Sequence, residues 1–190
     1  MTKIAVLASY NGSGFKALYE ASQRKELNLE IVLLISNNSN ATALQSACEL
    51  GIETALVNTK TDENPDKKIE QLLYECGCKY VFLSGYMKKI SSDITNNFKI
   101  INSHPSLLPK YGGEGMYGRF VHEAVIKNRE KESGVTIHEV DENYDKGKII
   151  LQKKLILSED ESIESLETKI KNLEQSAIVE AFKNIEKRCL

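Results

Sequence analysis

The chain of 190 residues has no excess of either charge: 25 lysines and arginines stand against 27 acids, leaving −2, with both signs interspersed. That removes the electrostatic footprint of a nucleic-acid or anionic-membrane binder. Long apolar runs are missing too. No stretch approaches the roughly 20 residues that a spanning helix needs. The apolar segment within residues 1–9 is too short for a signal peptide and meets a polar glycine loop at once. These absences lead to the expectation of a cytoplasmic protein with no membrane and no nucleic acid among its partners. Cysteine is sparse, at positions 48, 76, 78 and 189. Cys76-Gly77-Cys78 lacks the spacing of a zinc knuckle, no second pair follows, and no histidine lies near, so free thiols in a reducing compartment are expected. No other histidine, cysteine and aspartate grouping has metal-ligand spacing, so no metal is implied.

Repeats, low-complexity tracts and linkers are also absent, which favours a single domain over 1–190. What is present is an alternation of apolar runs with helical patterns. Strands are expected at 4–8, 29–36, 52–57, 80–83, 99–104, 135–140 and 149–155. Helices are expected at 14–23, 41–50, 67–75, 116–128 and 162–186. In the last of these, Ile163, Leu166, Ile170, Leu173, Ala177, Ile178, Ala181 and Ile185 keep the three-and-four spacing, with Ser162 as N-cap and Glu164 in the first turn. The expected fold is α/β: a single-domain, Rossmann-like, mostly parallel twisted sheet of about seven strands, with helices on both faces and a long C-terminal helix.

Three places carry chemistry. On a strand, positions i and i+2 share a face, so Asn102 and His104 converge before Pro105 stops the ladder. An amide donor beside an imidazole suits a reaction that builds an oxyanion and moves a proton, although two polar residues at a strand end also fit a structural reading. The first strand runs into Asn11-Gly12-Ser13-Gly14 and a helix, which makes either an anion site or a plain strand-to-helix turn. Glu174 lies four residues from both Ile170 and Ile178, within the apolar stripe of the last helix. There it is either a stripe-edge group with a lysine partner or a side chain at a cleft wall that binds an amine or hydroxyl. His122 and His138 read as structural.

Taken together, Asn102-Ser-His104-Pro-Ser-Leu-Leu-Pro109, the Asn-Gly-Ser loop and the Asp145-Lys-Gly147 loop behind a strand with His138 resemble the formyl-folate transferases. Within that group the likeness is to the glycinamide ribonucleotide formyltransferases and covers essentially the whole chain. The resemblance implies a catalytic trio of Asn102, His104 and Asp145. It implies that Gly12, Ser13 and Gly14 bind the substrate phosphate and that Glu174 holds the glycinamide end of the substrate. Folate binding is implied for Met87, Lys88, Lys89 and Ile90, for Asn102, and for the loop from Asp141 through Asp145 to Gly147. A phosphate-binding half at 1–100, a catalytic and folate-binding half at 101–190, and a cis Leu108–Pro109 bond are implied likewise.

The expected reaction is formyl transfer from the co-substrate 10-formyltetrahydrofolate to the amine of glycinamide ribonucleotide in purine biosynthesis, by a monomer or homodimer. Asn102 and a protonated His104 would hold the tetrahedral oxyanion while Asp145 assists proton transfer. Three departures from the family bear on binding: Tyr10 replaces a frequent glycine, Gly14 a frequent asparagine, and Lys88 an arginine, losing a bidentate fork but keeping the charge. The glycine-rich segment 111–118 is longer than in short members and is expected to form a mobile flap. Other readings are a 10-formyltetrahydrofolate hydrolase, another formyl-folate transferase, or a non-catalytic folate or nucleotide module. The hydrolase and the tRNA-directed transferase are expected to carry an added domain, for which this chain has no room.

Overall fold

The computed structural model describes residues 1–188, and its contacts gather the chain into two compact units, Met1–Ile101 and the residues from Asn102 onward. The described residues form seven strands and six helices. Hydrogen bonding orders the strands 3-2-1-4-5-6-7 in chain numbering, a mostly parallel α/β sheet as expected.

The first unit contains β1 (Thr2–Leu7), α1 (Ser13–Gln23), β2 (Leu29–Ser36), α2 (Thr42–Glu49), β3 (Glu53–Leu56), α3 (Pro65–Glu75), β4 (Tyr80–Leu83) and α4 (Ser92–Asn97). β1 pairs in parallel with β2 and β4, and β2 with β3. Residues 4–7 of β1 and all of β4 are buried, as strands covered on both faces must be, and so they read as unbroken apolar runs. β3 ends the strand order and exposes Glu53 and Thr54, charge and polarity that protect an edge. α3 begins at Pro65, two residues before its expected start. Asn64 accepts the amide of Lys67 at 3.1 Å and Pro65 takes the first helical position, so a segment read as loop is a capped start. α4 was not expected at all: six polar-rich residues with only Ile94 buried are too few to show a period.

β5 (Lys99–His104) runs from the first unit into the second. The second unit goes on with α5 (Arg119–Lys127), β6 (Glu132–Glu139), β7 (Ile149–Ile156) and α6 (Ile163–Arg188). α5 starts three residues later than expected, because Gly113, Gly115 and Gly118 all have positive φ, which a right-handed helix excludes. β6 starts three residues earlier than expected, its Glu-Ser-Gly opening hiding a strand that pairs antiparallel with β7. α6 packs on β6 and β7 and against α5, burying Leu166, Ile170, Ala177, Ile178 and Ala181 of the expected stripe. Its cap is the one read from sequence: Ser162 Oγ accepts the amide of Ser165 at 3.1 Å. Cys48, Cys76 and Cys78 are free, and Cys189 lies outside the described residues.

Candidate active site

The second unit assembles a cluster from three stretches of chain. β5 contributes Asn102 and His104, β6 contributes His138, and the loop after β6 contributes Asp145. His104 Nδ1 lies 3.5 Å from Asp145 Oδ2, and His138 Nε2 lies 3.5 Å from Asp145 Oδ1. Asn102 Nδ2 lies 3.2 Å from His138 Nε2, while His138 Nδ1 lies 2.9 Å from the carbonyl oxygen of Glu139. A carbonyl only accepts, so Nδ1 of His138 carries the proton and Nε2 receives one from the Asn102 amide. That contact identifies the nitrogen end of the Asn102 amide and leaves its second hydrogen for a ligand.

His138 reads as structural from the sequence, and the structure places it within the cluster. A signal was there: Thr136 and His138 are two apart on one strand and share a face. Thr136 Oγ1 donates to the carbonyl of Ser106 at 2.7 Å and accepts the amide of Leu108 at 3.0 Å, tying that face of β6 to the loop beyond His104. The β6–β7 register slips between Ile137 and His138, a bulge at the position where a side chain turns into the cluster. The Leu108–Pro109 bond within the tied loop is cis.

His104 is 3% exposed. Its Nε2 lies 2.7 Å from the carbonyl oxygen of Tyr111 and therefore donates to it. Burial pushes the imidazole below its usual value, and it outweighs the opposing pull of Asp145 and the Tyr111 carbonyl. This corrects the expectation of a standing imidazolium: Asp145 does favour the proton, but desolvation wins. Burial would raise the Asp145 carboxyl, yet the neighbouring imidazoles of His138 and His104 and the Gly113 amide at 2.9 Å hold it below the usual range. Asp145 sits at φ 55, a conformation aspartate tolerates at a cost of order 1 kcal/mol. Two residues on, Gly147 has no room for a Cβ, which would run into the Glu139 carbonyl.

Glu174 takes a partner that neither sequence reading named. Ser103 Oγ donates to its Oε1 at 2.6 Å. Ser103 points to the face of β5 opposite Asn102 and His104, which is where the carboxylate is held. Burial raises the Glu174 carboxyl, offset in part by the Ser103 bond and by Lys171. Asp141 is exposed and turns its own loop, accepting the amide of Asn143 at 2.8 Å.

In the first unit, Gly12 caps α1 in the left-handed conformation, at φ 60 and ψ 48. The amide of Phe15 is taken by Ser84 Oγ at 3.1 Å. Tyr10, 61% exposed, offers its carbonyl to the amide of Ala43 at 3.1 Å, and Asn11 Oδ1 accepts from Thr42 Oγ1 at 3.1 Å, so the start of α2 braces the loop. Gly14 is buried against the unit's core. The amide of Met87 donates to Ser9 Oγ at 2.8 Å. Met87, Lys88 and Lys89 are exposed, whereas Ile90 is a core side chain. Among the described residues, no group of three or more histidine, cysteine or acidic side chains is placed to hold a metal ion.

Comparison with known proteins fits this geometry. The formyl transferase family model matches residues 2–182. The phosphoribosylglycinamide formyltransferase of Haemophilus influenzae is 35% identical over 92% of this chain and 82% of its own length. The chloroplastic phosphoribosylglycinamide formyltransferase of Vigna unguiculata is 36% identical over 94% of this chain. This chain spans only about three fifths of that relative, 59%. Among solved structures, phosphoribosylglycinamide formyltransferase from Bacillus halodurans superposes with a TM-score of 0.91 at 28% identity, covering 100% of this chain and 97% of that one. A match of that extent, with relatives of that kind, makes the chain a member of the formyl transferase family.

Proposed function

We propose that the chain transfers the formyl group of 10-formyltetrahydrofolate to the primary amine of glycinamide ribonucleotide, in purine biosynthesis and in the cytoplasm. The observation that carries this reading is the group that joins Asn102 and Asp145 to the buried His104 and His138. It sets an amide donor and an imidazole nitrogen able to take up a proton beside a carboxylate kept ionised. The names of the relatives supply the acceptor and the group transferred.

The amine nitrogen attacks the formyl carbon, and the carbonyl oxygen becomes an oxyanion. The second hydrogen of Asn102 Nδ2 bonds it. His104 adds a bond through Nδ1, 3.5 Å from Asp145, once that nitrogen takes up a proton in the reaction, since Nε2–H is committed to Tyr111 at 2.7 Å. The nitrogen that attacked then loses a proton to Asp145, directly or through water, and the proton passes to N10 of the folate as the C–N10 bond breaks. One C–N bond forms, one breaks, and the proton ends on the leaving nitrogen.

The substrate phosphate is assigned to the amides of Ser13 and Gly14, which precede the one taken by Ser84, with Gly12 giving the turn. The family resemblance assigns Glu174 to the glycinamide end, an assignment that its Ser103 bond on the face of β5 opposite Asn102 and His104 does not support; Met87, Lys88, Lys89, Ile90, Asp141 and Asp145 are assigned to folate.

The test mixes protein with 10-formyltetrahydrofolate, with and without glycinamide ribonucleotide, following folate absorbance and product mass. Formylated amine is expected only when the amine is present. Folate turnover without it makes the protein a hydrolase, and no turnover makes it a binding module. Asn102→Ala, His104→Ala and Asp145→Asn should each lower kcat on the order of a hundredfold. Wild-type kcat in all three would end the assignment.

A further inference from the structure

Tyr111 holds a left-handed backbone at φ 55, which costs a bulky residue about 1–2 kcal/mol. Such a conformation persists only where the surroundings over-determine it. Here they do so through the other end of the residue. The phenol donates to Glu130 Oε1 at 2.9 Å and accepts from Asn128 Nδ2 at 2.9 Å. Glu130 also receives Lys110 Nζ at 3.2 and 3.3 Å. Asn128 caps the C-terminus of α5 and Glu130 follows in the connection to β6, so the anchor stands apart from the reacting groups.

The main chain of this anchored segment touches both members of the proton-handling pair. The Tyr111 carbonyl accepts Nε2–H of His104 at 2.7 Å, and the Gly113 amide donates to Asp145 Oδ2 at 2.9 Å. A ring held by one nitrogen has its other nitrogen aimed, and a carboxylate held by one oxygen has its plane set. Gly112 lies between the two contacts, where an added Cβ would meet Leu108 and Asp145.

We propose that Glu130 and Asn128 are positioning residues which, through the Tyr111 phenol, aim His104 and Asp145 at each other. What the pair does rests on the formyl-transfer reading; how it is held does not.

The experiment compares Tyr111→Phe, Glu130→Ala and their double variant with the wild type. The readouts are ring 15N shifts of His104 from long-range 1H–15N correlation, kcat and KM for both substrates, and Tm. In the wild type the shifts should report Nε2–H. Each single variant should disturb that pattern and lower kcat by about tenfold, with KM changing by no more than about twofold. The double variant should be no worse than the poorer single, because both changes break one linkage. Wild-type His104 shifts in the single variants, whatever happens to Tm, overturn the proposal, and so do losses that add in the double. Should Tyr111→Phe not fold, Glu130→Ala and Asn128→Ala decide by the same shifts. A wild type with no formyl transfer counts against the function alone, since the ring shifts still decide the positioning.

Discussion

At the scale of the residue, burial sets the direction in which His104 and Glu174 shift, whereas the neighbours of Asp145 override it. Asn102 and His104 are two apart on β5, and their shared face was legible from the strand period and Pro105. The protonation of His104 was not legible, because it depends on the balance of desolvation against Asp145, and neither can be read from neighbours in sequence. Glu174 shows the same dependence. Its carboxyl is raised first by burial, and the Ser103 hydroxyl is what opposes this. Ser103→Ala should therefore raise the Glu174 pKa further. Carboxyl 13C shifts followed through a pH titration would show it, and an unchanged or lower midpoint would contradict the hydrogen bond as a determinant.

At the scale of the element, the loop between β6 and β7 works because of close approach. A Cβ at Gly147 would strike the Glu139 carbonyl and crowd the Asp141 amide, main-chain atoms that cannot rotate away. Gly147→Ala should cost about 1–3 kcal/mol in urea unfolding, as overpacked sites do. It should lower kcat as well, since Asp145 sits two residues upstream at φ 55. The start of α6 rests on a carboxylate. Glu161 accepts from Lys169 Nζ at 2.6 Å, Ser158 Oγ at 3.1 Å and Ser158 N at 3.3 Å, which hold its pKa down to about 2. Glu161→Gln should cost about 1 kcal/mol at pH 7, a figure reduced for the exposure of Lys169. A depressed carboxyl stabilises above its unfolded value of 4.5 and loses that contribution as pH falls toward 2. The gap between variant and wild type should accordingly close over that window in urea melts.

At the scale of the whole molecule, acid should destabilise the fold early. His104 and His122 are both lowered from 6.5, in each case first by burial. Both are 3% exposed, and His122 Nδ1 has no hydrogen-bond partner among the described residues. Glu167 favours the His122 proton, whereas Lys171, Arg119 and His104 oppose it. A lowered histidine binds its proton more weakly in the fold than in the unfolded chain. Stability is thus complete above about pH 6.5 and falls as pH drops toward the folded values. Glu174 runs the other way, regaining stability on protonation, because its folded pKa is the higher one. Urea unfolding between pH 8 and 5.5 should show a decline that His122→Gln makes shallower. An equal slope in that variant would remove His122 from the account.

Residue order alone determined the alternation of strands and helices, the long stripe and cap of α6, and the likeness carried by Asn102, His104 and Asp145. Those features are written in local periods of two and 3.6 residues and in short motifs. The tertiary structure decided that His138 joins the cluster, that Ser103 rather than a lysine meets Glu174, and that the Tyr111 carbonyl and Gly113 amide hold His104 and Asp145. Each of these is a meeting of side chains or main chain brought together by folding, under a desolvation that only burial creates.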